Sequence, residues 1–177
     1  MSEQGIAEGI AGSAAGCVAD VFGFAAEGRT LAGALPVALF GRLADQLAND
    51  EGAVRWRLAG RVDAEGKPRL DLEVSGRLVL RCQRCLAGLV WDLAVEAALW
   101  PVRAGRDLPG DELEDDEVDA IEIDGEVDVL SLIEDEIILA LPIAPRHEDC
   151  GMPRPADDGS RGESPFAVLA GLRGDGG

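Results

Sequence analysis

Four residues carry the chemistry this chain can offer a metal ion: Cys82, Cys85, His147 and Cys150. The first two belong to the turn Arg81-Cys82-Gln83-Arg84-Cys85-Leu86, and the last two form a His-x-x-Cys pair around the single histidine. A Cys-x-x-Cys turn lets two sulfurs converge on one point, as half of a tetrahedral zinc site does. The same turn serves a redox pair, although the βαβ context that accompanies such pairs is missing here. Zinc takes four nitrogen or sulfur ligands, and these four are the candidates outside the amino-terminal leader. The 61 residues between Cys85 and His147 exceed the spacing of a compact finger. The fold must therefore bring the two halves together. The bland alternative is reduced thiols, one of them a small buried residue, beside a solvated histidine. The remaining cysteine, Cys17, lies in Gly/Ala-rich sequence and stands apart from this set.

The elements that position these residues follow from periodicity. Gly76–Leu80 leads into the cysteine turn and Leu89–Val95 leads out of it, both with stretches of the two-residue alternation of a half-buried strand. The pair thus sits at the tip of a hairpin. Upstream, Val54, Trp56, Leu58 and Val62 point one way, and Arg55, Arg57 and Arg61 the other. Ala64-Glu65-Gly66-Lys67 reads as a turn, and Leu70–Val74 alternates again. At least four strands joined by short turns are expected. Leu35–Leu47 reads as a helix with Leu39, Phe40, Leu43 and Leu47 on one face and Pro36 in its first turn. Val118–Ile123 reads as a final strand. Asp128 then caps a buried helix over Val129–Leu141, with Glu134 and Asp135 on its solvent side. Pro142 and Pro145 stop that helix and send an extended segment to His147 and Cys150.

The fold class expected is α+β: an antiparallel β-meander that can curl towards a barrel, with a buried helix and short terminal helices. Residues 1–19 read as a mobile leader, and Asp20–Phe24 as a piece that docks on the body. Residues 20–150 read as a single domain containing an acidic loop at 107–119. A polar linker at 151–163 follows, then a docking helix at 164–173, capped by Ser164 with Pro165 in its first turn and Phe166, Leu169 and Leu172 on one side.

Charge narrows the function classes. The 177 residues carry a formal net charge of -18, but the charge is segregated. Glu51–Arg106 holds ten basic and seven acidic residues, whereas Asp107–Glu136 holds fifteen acidic residues and no basic one. Any nucleic-acid footprint falls in the first stretch, on Arg55, Arg57, Arg61, Arg77, Arg81 and Arg84; the bland reading is a solvated face balanced by Asp71 and Glu73. No apolar run approaches the roughly 18 residues needed to cross a bilayer, and no cationic, apolar signal opens the chain. A soluble, cytoplasmic protein with reduced thiols is expected, without a membrane partner. One histidine, no Gly-rich phosphate loop and no nucleophile elbow leave little on which to build an enzyme with a small-molecule substrate.

Three stretches resemble the YceD family, the large ribosomal RNA subunit accumulation proteins of bacteria. They are Cys82-Gln83-Arg84-Cys85, then Ile133-Glu134-Asp135-Glu136-Ile137-Ile138-Leu139-Ala140-Leu141-Pro142, and finally Pro165-Phe166-Ala167-Val168-Leu169. The resemblance runs from about Asp20 to the carboxyl end. It implies a non-catalytic role in synthesis, processing or stability of 23S ribosomal RNA, with precursor 23S RNA or a large-subunit assembly intermediate as partner. An acidic, chaperone-like binder of a basic ribosomal protein, acting through Asp107–Glu136, is the alternative. No catalytic residues are carried over.

Overall fold

The computed structural model describes residues 16–105 and 119–151. The described residues open with a two-residue strand β1 (Cys17–Val18), inside the stretch read as leader, and a short helix α1 (Val21–Ala26) capped by the Asp20 carboxylate. Strand β2 (Thr30–Pro36) follows, then two single 3-10 turns, Val37–Leu39 and Gly41–Leu43. Three long strands make the body: β3 (Ala53–Val62), β4 (Pro68–Arg81) and β5 (Gly88–Arg103). Strands β6 (Asp119–Ile123) and β7 (Val127–Asp128) lead into helix α2 (Val129–Ala140).

The main sheet has the order β2-β3-β4-β5-β6, and β1 pairs with β7 in a separate two-stranded ladder. The alternation in β3 is obeyed: Val54, Trp56 and Leu58 are buried, and Arg55, Arg57 and Arg61 are exposed. The β3–β4 turn is tied by Asp63, whose carboxylate accepts the main-chain N–H groups of Glu65 and Lys67 at 2.9 and 2.8 Å. Gly66 takes the positive φ of 83° that this turn requires. In register, Leu72 faces Leu58 and Ala97, and Leu78 faces Trp91, so apolar rows cross the sheet on one face. The two helices cover that face. Gly60 lets α1 approach the β3 backbone, since a Cβ there would stand 2.7 Å from both Ala25 Cα and the Phe24 carbonyl. Helix α2 packs on β4 and β5 through Ile133 and Ile137. Its Asp128 cap accepts the Leu130 N–H at 3.2 Å and the Ser131 hydroxyl at 2.6 Å, as the sequence led us to expect.

Several expectations need correction. The sheet is open rather than closed, since its edge strands β2 and β6 do not pair with each other, and it is mixed, because β6 joins β5 in parallel. The two runs 70–74 and 76–80 are one continuous strand; at Gly76 a Cβ would sit 3.1 Å from Val54 Cγ1, so glycine there serves close strand packing, not a turn. The helix read over Leu35–Leu47 does not form. Leu35 and Pro36 belong to β2 and pair with Val54 and Ala53, while Leu47 makes a bridge to Leu80. Phe40, Leu43 and Leu47 are nonetheless buried, so their spacing records burial from an irregular segment. Val62 is exposed rather than inward.

Glu134 is also buried, not solvent-facing. Its carboxylate accepts the Arg42 main-chain N–H at 2.7 Å and Arg42 Nε at 2.8 Å. The same guanidinium reaches Asp135 and donates to the Ser131 carbonyl at 3.1 Å. A buried carboxylate needs such a partner. The pair clamps the 3-10 segment onto α2. No helix among the described residues is long and apolar enough to cross a membrane. The acidic loop lies outside the described residues except Asp119, which begins β6. So do the linker after Gly151, the 164–173 segment and residues 1–15.

Candidate metal centre

The β4–β5 hairpin delivers the first half of the site. Its strands end at Arg81 and restart at Gly88, with the two cysteines in the connection. The connection closes on itself: Cys82 N–H donates to the Ala87 carbonyl, and Leu86 N–H to the Cys82 carbonyl, both at 2.9 Å. Leu86 takes a φ of 64°, a left-handed conformation that is unusual for a leucine and completes the tight turn. Cys82 continues the inward row of β4 and is fully buried; Cys85 is half-buried.

The second half arrives from α2. The helix ends at Ala140 with Leu141 as its extended cap, Pro142 prevents its continuation, and the chain crosses to the hairpin tip. There Gln83 N–H donates to the Pro145 carbonyl at 2.8 Å. Arg84 Nη1 donates to the Cys150 carbonyl at 2.9 Å. These two bonds place His147 and Cys150 against the cysteine turn.

The four ligand atoms of Cys82, Cys85, His147 and Cys150 lie within 4.8 Å of one another. The Sγ atoms of Cys82 and Cys150 are 3.7 Å apart, and Cys85 Sγ is 3.4 Å from His147 Nδ1. Ligands held about 2.0–2.3 Å from a tetrahedral zinc ion stand about 3.4–3.8 Å apart, so these two spacings fit, and the widest pair, within 4.8 Å, needs to close by no more than about 1 Å. His147 Nε2 lies 3.1 Å from the Gly88 carbonyl. A carbonyl only accepts, so Nε2 carries the proton and the Nδ1 lone pair is directed at the sulfurs. An outer hydrogen bond of this kind orients a metal-binding imidazole.

Electrostatics point the same way. The main-chain N–H of Cys85, helped by those of Arg84 and His147, holds the Cys82 thiol down to about 5 despite its burial. Burial pushes the Cys150 thiol up, and the neighbouring Cys82 and Cys85 sulfurs add to that. Three sulfurs this close resist carrying negative charge together unless a cation sits among them. Cys17 is elsewhere: it is exposed and its thiol meets Glu126 Oε1 at 3.0 Å, which raises its pKa.

The candidate RNA-contacting arginines divide. Arg55, Arg57, Arg61, Arg77 and Arg81 are exposed on the sheet face away from the helices, and Arg84 belongs to the cysteine turn. Arg57 pairs with Glu73 at 3.1 Å, Arg61 with Asp71 at 2.7 Å and Arg77 with Asp92 at 3.0 Å. Arg81 donates to the Leu47 carbonyl at 3.4 Å. Arg55 lies opposite Ser75 and has no ion pair among the described residues. Sequence reasoning passed over Gly88, whose carbonyl fixes the histidine tautomer, because a carbonyl leaves no side-chain signal. It also passed over Arg42, which sits outside any regular pattern.

An open mixed sheet, with helices on one face and a Cys3His cluster where the hairpin tip meets the segment after α2, defines the class of protein by its fold. The sequence pattern of the family described as large ribosomal RNA subunit accumulation protein YceD matches residues 70–173. The chain is 31% identical over 147 residues to the large ribosomal RNA subunit accumulation protein YceD of Haemophilus influenzae (strain ATCC 51907 / DSM 11121 / KW20 / Rd), covering 75% of this chain and 80% of that protein. The chain belongs to the YceD family. No solved structure matches it.

Proposed function

We propose that this protein is a non-catalytic factor in the accumulation of 23S ribosomal RNA, and that its Cys3His cluster holds a structural zinc ion. Membership in a family named for accumulation of the large-subunit RNA carries the first part. Convergence of four ligand atoms within 4.8 Å carries the second. Zinc there ties the segment after α2 to the sheet, where the prolines leave few main-chain hydrogen bonds. The cytoplasm, where ribosomes assemble and thiols stay reduced, suits both parts.

Direct contact with precursor 23S RNA is assigned to Arg55, Arg57, Arg61, Arg77, Arg81 and Arg84. Arg55, without a competing carboxylate among the described residues, is the first phosphate contact; at Arg57, Arg61 and Arg77 a phosphate displaces an exposed ion pair, whose net worth is only about 0–1 kcal/mol. The net charge of -18 favours a second reading, a chaperone-like hold on a basic ribosomal protein through Asp107–Glu136. Crosslinking in cells, with both RNA and protein identified, separates them. Precursor 23S RNA crosslinked at the arginine face supports the first; a basic ribosomal protein at Asp107–Glu136 with no RNA supports the second.

A further inference from the structure

The carboxyl-terminal end of α2 leaves an apolar patch uncovered. Ile138 and Leu139 stand on its last turn, and Ile143 follows just beyond Pro142. Ile138 is 38% exposed, Leu139 is 75% exposed and Ile143 is fully exposed. Single exposed aliphatic residues are ordinary on a protein surface, but three within six positions at one helix end form a surface that invites a partner. The flank of this patch is acidic, with Asp135 one turn before Leu139 and Glu136 beside it. Burial, followed by the charges of Asp119 and Asp135, raises the Glu136 pKa.

We propose that this patch is the docking site for the chain's own carboxyl-terminal segment, residues 164–173. Length and place argue for that occupant. The described chain ends at Gly151, next to Cys150 in the metal centre and eight residues after Ile143. Twelve residues, 152–163, connect it to Ser164, and fully extended they reach about 40 Å, ample to return to α2. A short polar tether of this kind holds its end at an effective concentration on the order of millimolar, so a weak contact suffices. The segment itself is Ser-Pro-Phe-Ala-Val-Leu-Ala-Gly-Leu-Arg, with Phe166, Leu169 and Leu172 at helical spacing. A helix this short is marginal in water without something to pack on. Its single charge, Arg173, suits Glu136 on the flank of the patch, Asp135 being already held by Arg42. The family match runs from residue 70 to residue 173, so the pattern that includes β5, β6 and α2 includes this segment too. This inference is independent of RNA binding and of zinc occupancy.

Hydrogen exchange by mass spectrometry on the full chain tests it. Amides of 164–173 should exchange roughly tenfold or more slowly than an unstructured peptide does. Leu169→Asp in the segment and Leu139→Asp or Ile143→Asp in the patch should each abolish that protection. Because both patch residues are exposed, the sheet amides of these variants should keep theirs, which separates loss of docking from unfolding. Sedimentation should show a monomer throughout. Exchange of 164–173 at the unstructured rate in the parent overturns the proposal. So does protection that vanishes on dilution together with a dimer, or that survives both patch substitutions.

Discussion

The Gln83 N–H donates to the Pro145 carbonyl at 2.8 Å, joining a hairpin tip to a segment 62 positions later in the chain. That one bond lies across the gap that a metal ion at Cys82, Cys85, His147 and Cys150 would close. Elemental analysis of protein purified without chelator should find about one zinc per chain, absent from a Cys82→Ser, Cys85→Ser double variant. Removing the metal should strip amide protection from residues 142–151 while the sheet keeps its own, since Leu72, Leu78 and Ile133 bury a core that does not depend on the site. Metal-free protein with 142–151 fully protected would show that packing alone holds the segment.

The approach of α1 to the sheet predicts a sharp cost at Gly60. A methyl group there meets main-chain atoms of Phe24 and Ala25, which cannot move aside as a flexible side chain does. Gly60→Ala should destabilise the protein by about 2 kcal/mol, read as a lower denaturant midpoint at unchanged slope. Gly41→Ala, where nothing lies within 4 Å, serves as the control and should cost far less.

The Arg42–Glu134 clamp predicts unequal arginines. Arg42→Ala strands the buried Glu134 carboxylate and should clearly lower the thermal midpoint. Arg57→Ala removes a pair exposed on both sides and should leave the midpoint nearly unchanged. Equal effects would mean that Glu134 finds water when Arg42 is gone.

These elements also show which physics is visible in a linear chain. The candidate quartet Cys82, Cys85, His147 and Cys150 was legible because cysteine and histidine are scarce and their spacings are distinctive, and the fold brings the four together. Helix α2 was legible because Asp128 supplies a cap, Pro142 a stop and Val129–Leu141 an apolar face. Strand β2 was not, because Thr-Leu-Ala-Gly-Ala-Leu-Pro has no polar alternation; it becomes a strand by pairing with Ala53–Ala59. The apolar spacing of Leu39, Phe40, Leu43 and Leu47 matches a helix, yet Leu35 is drawn into β2 and Gly41 opens a second 3-10 turn. Parallel pairing of β6 with β5 is a tertiary choice without a local signal. The Glu134 partner, 92 positions away, has none either.

The exposed arginine face predicts a salt signature. Arg55→Glu, Arg57→Glu and Arg81→Glu together should weaken association with precursor 23S RNA. They should also flatten the plot of log affinity against log salt, by about 0.7 per lost phosphate contact on single-stranded RNA. An unchanged slope would mark this face as solvated surface and shift the assignment to Asp107–Glu136.

The role in RNA accumulation is tested most directly by the ratio of 23S to 16S ribosomal RNA in cells lacking the protein. The ratio should fall on deletion and return when the parent protein is supplied. The Cys82→Ser, Cys150→Ser variant at equal protein level should fail to restore it. An unchanged ratio on deletion would contradict the proposed function, and full restoration by the variant would contradict the part assigned to the metal centre.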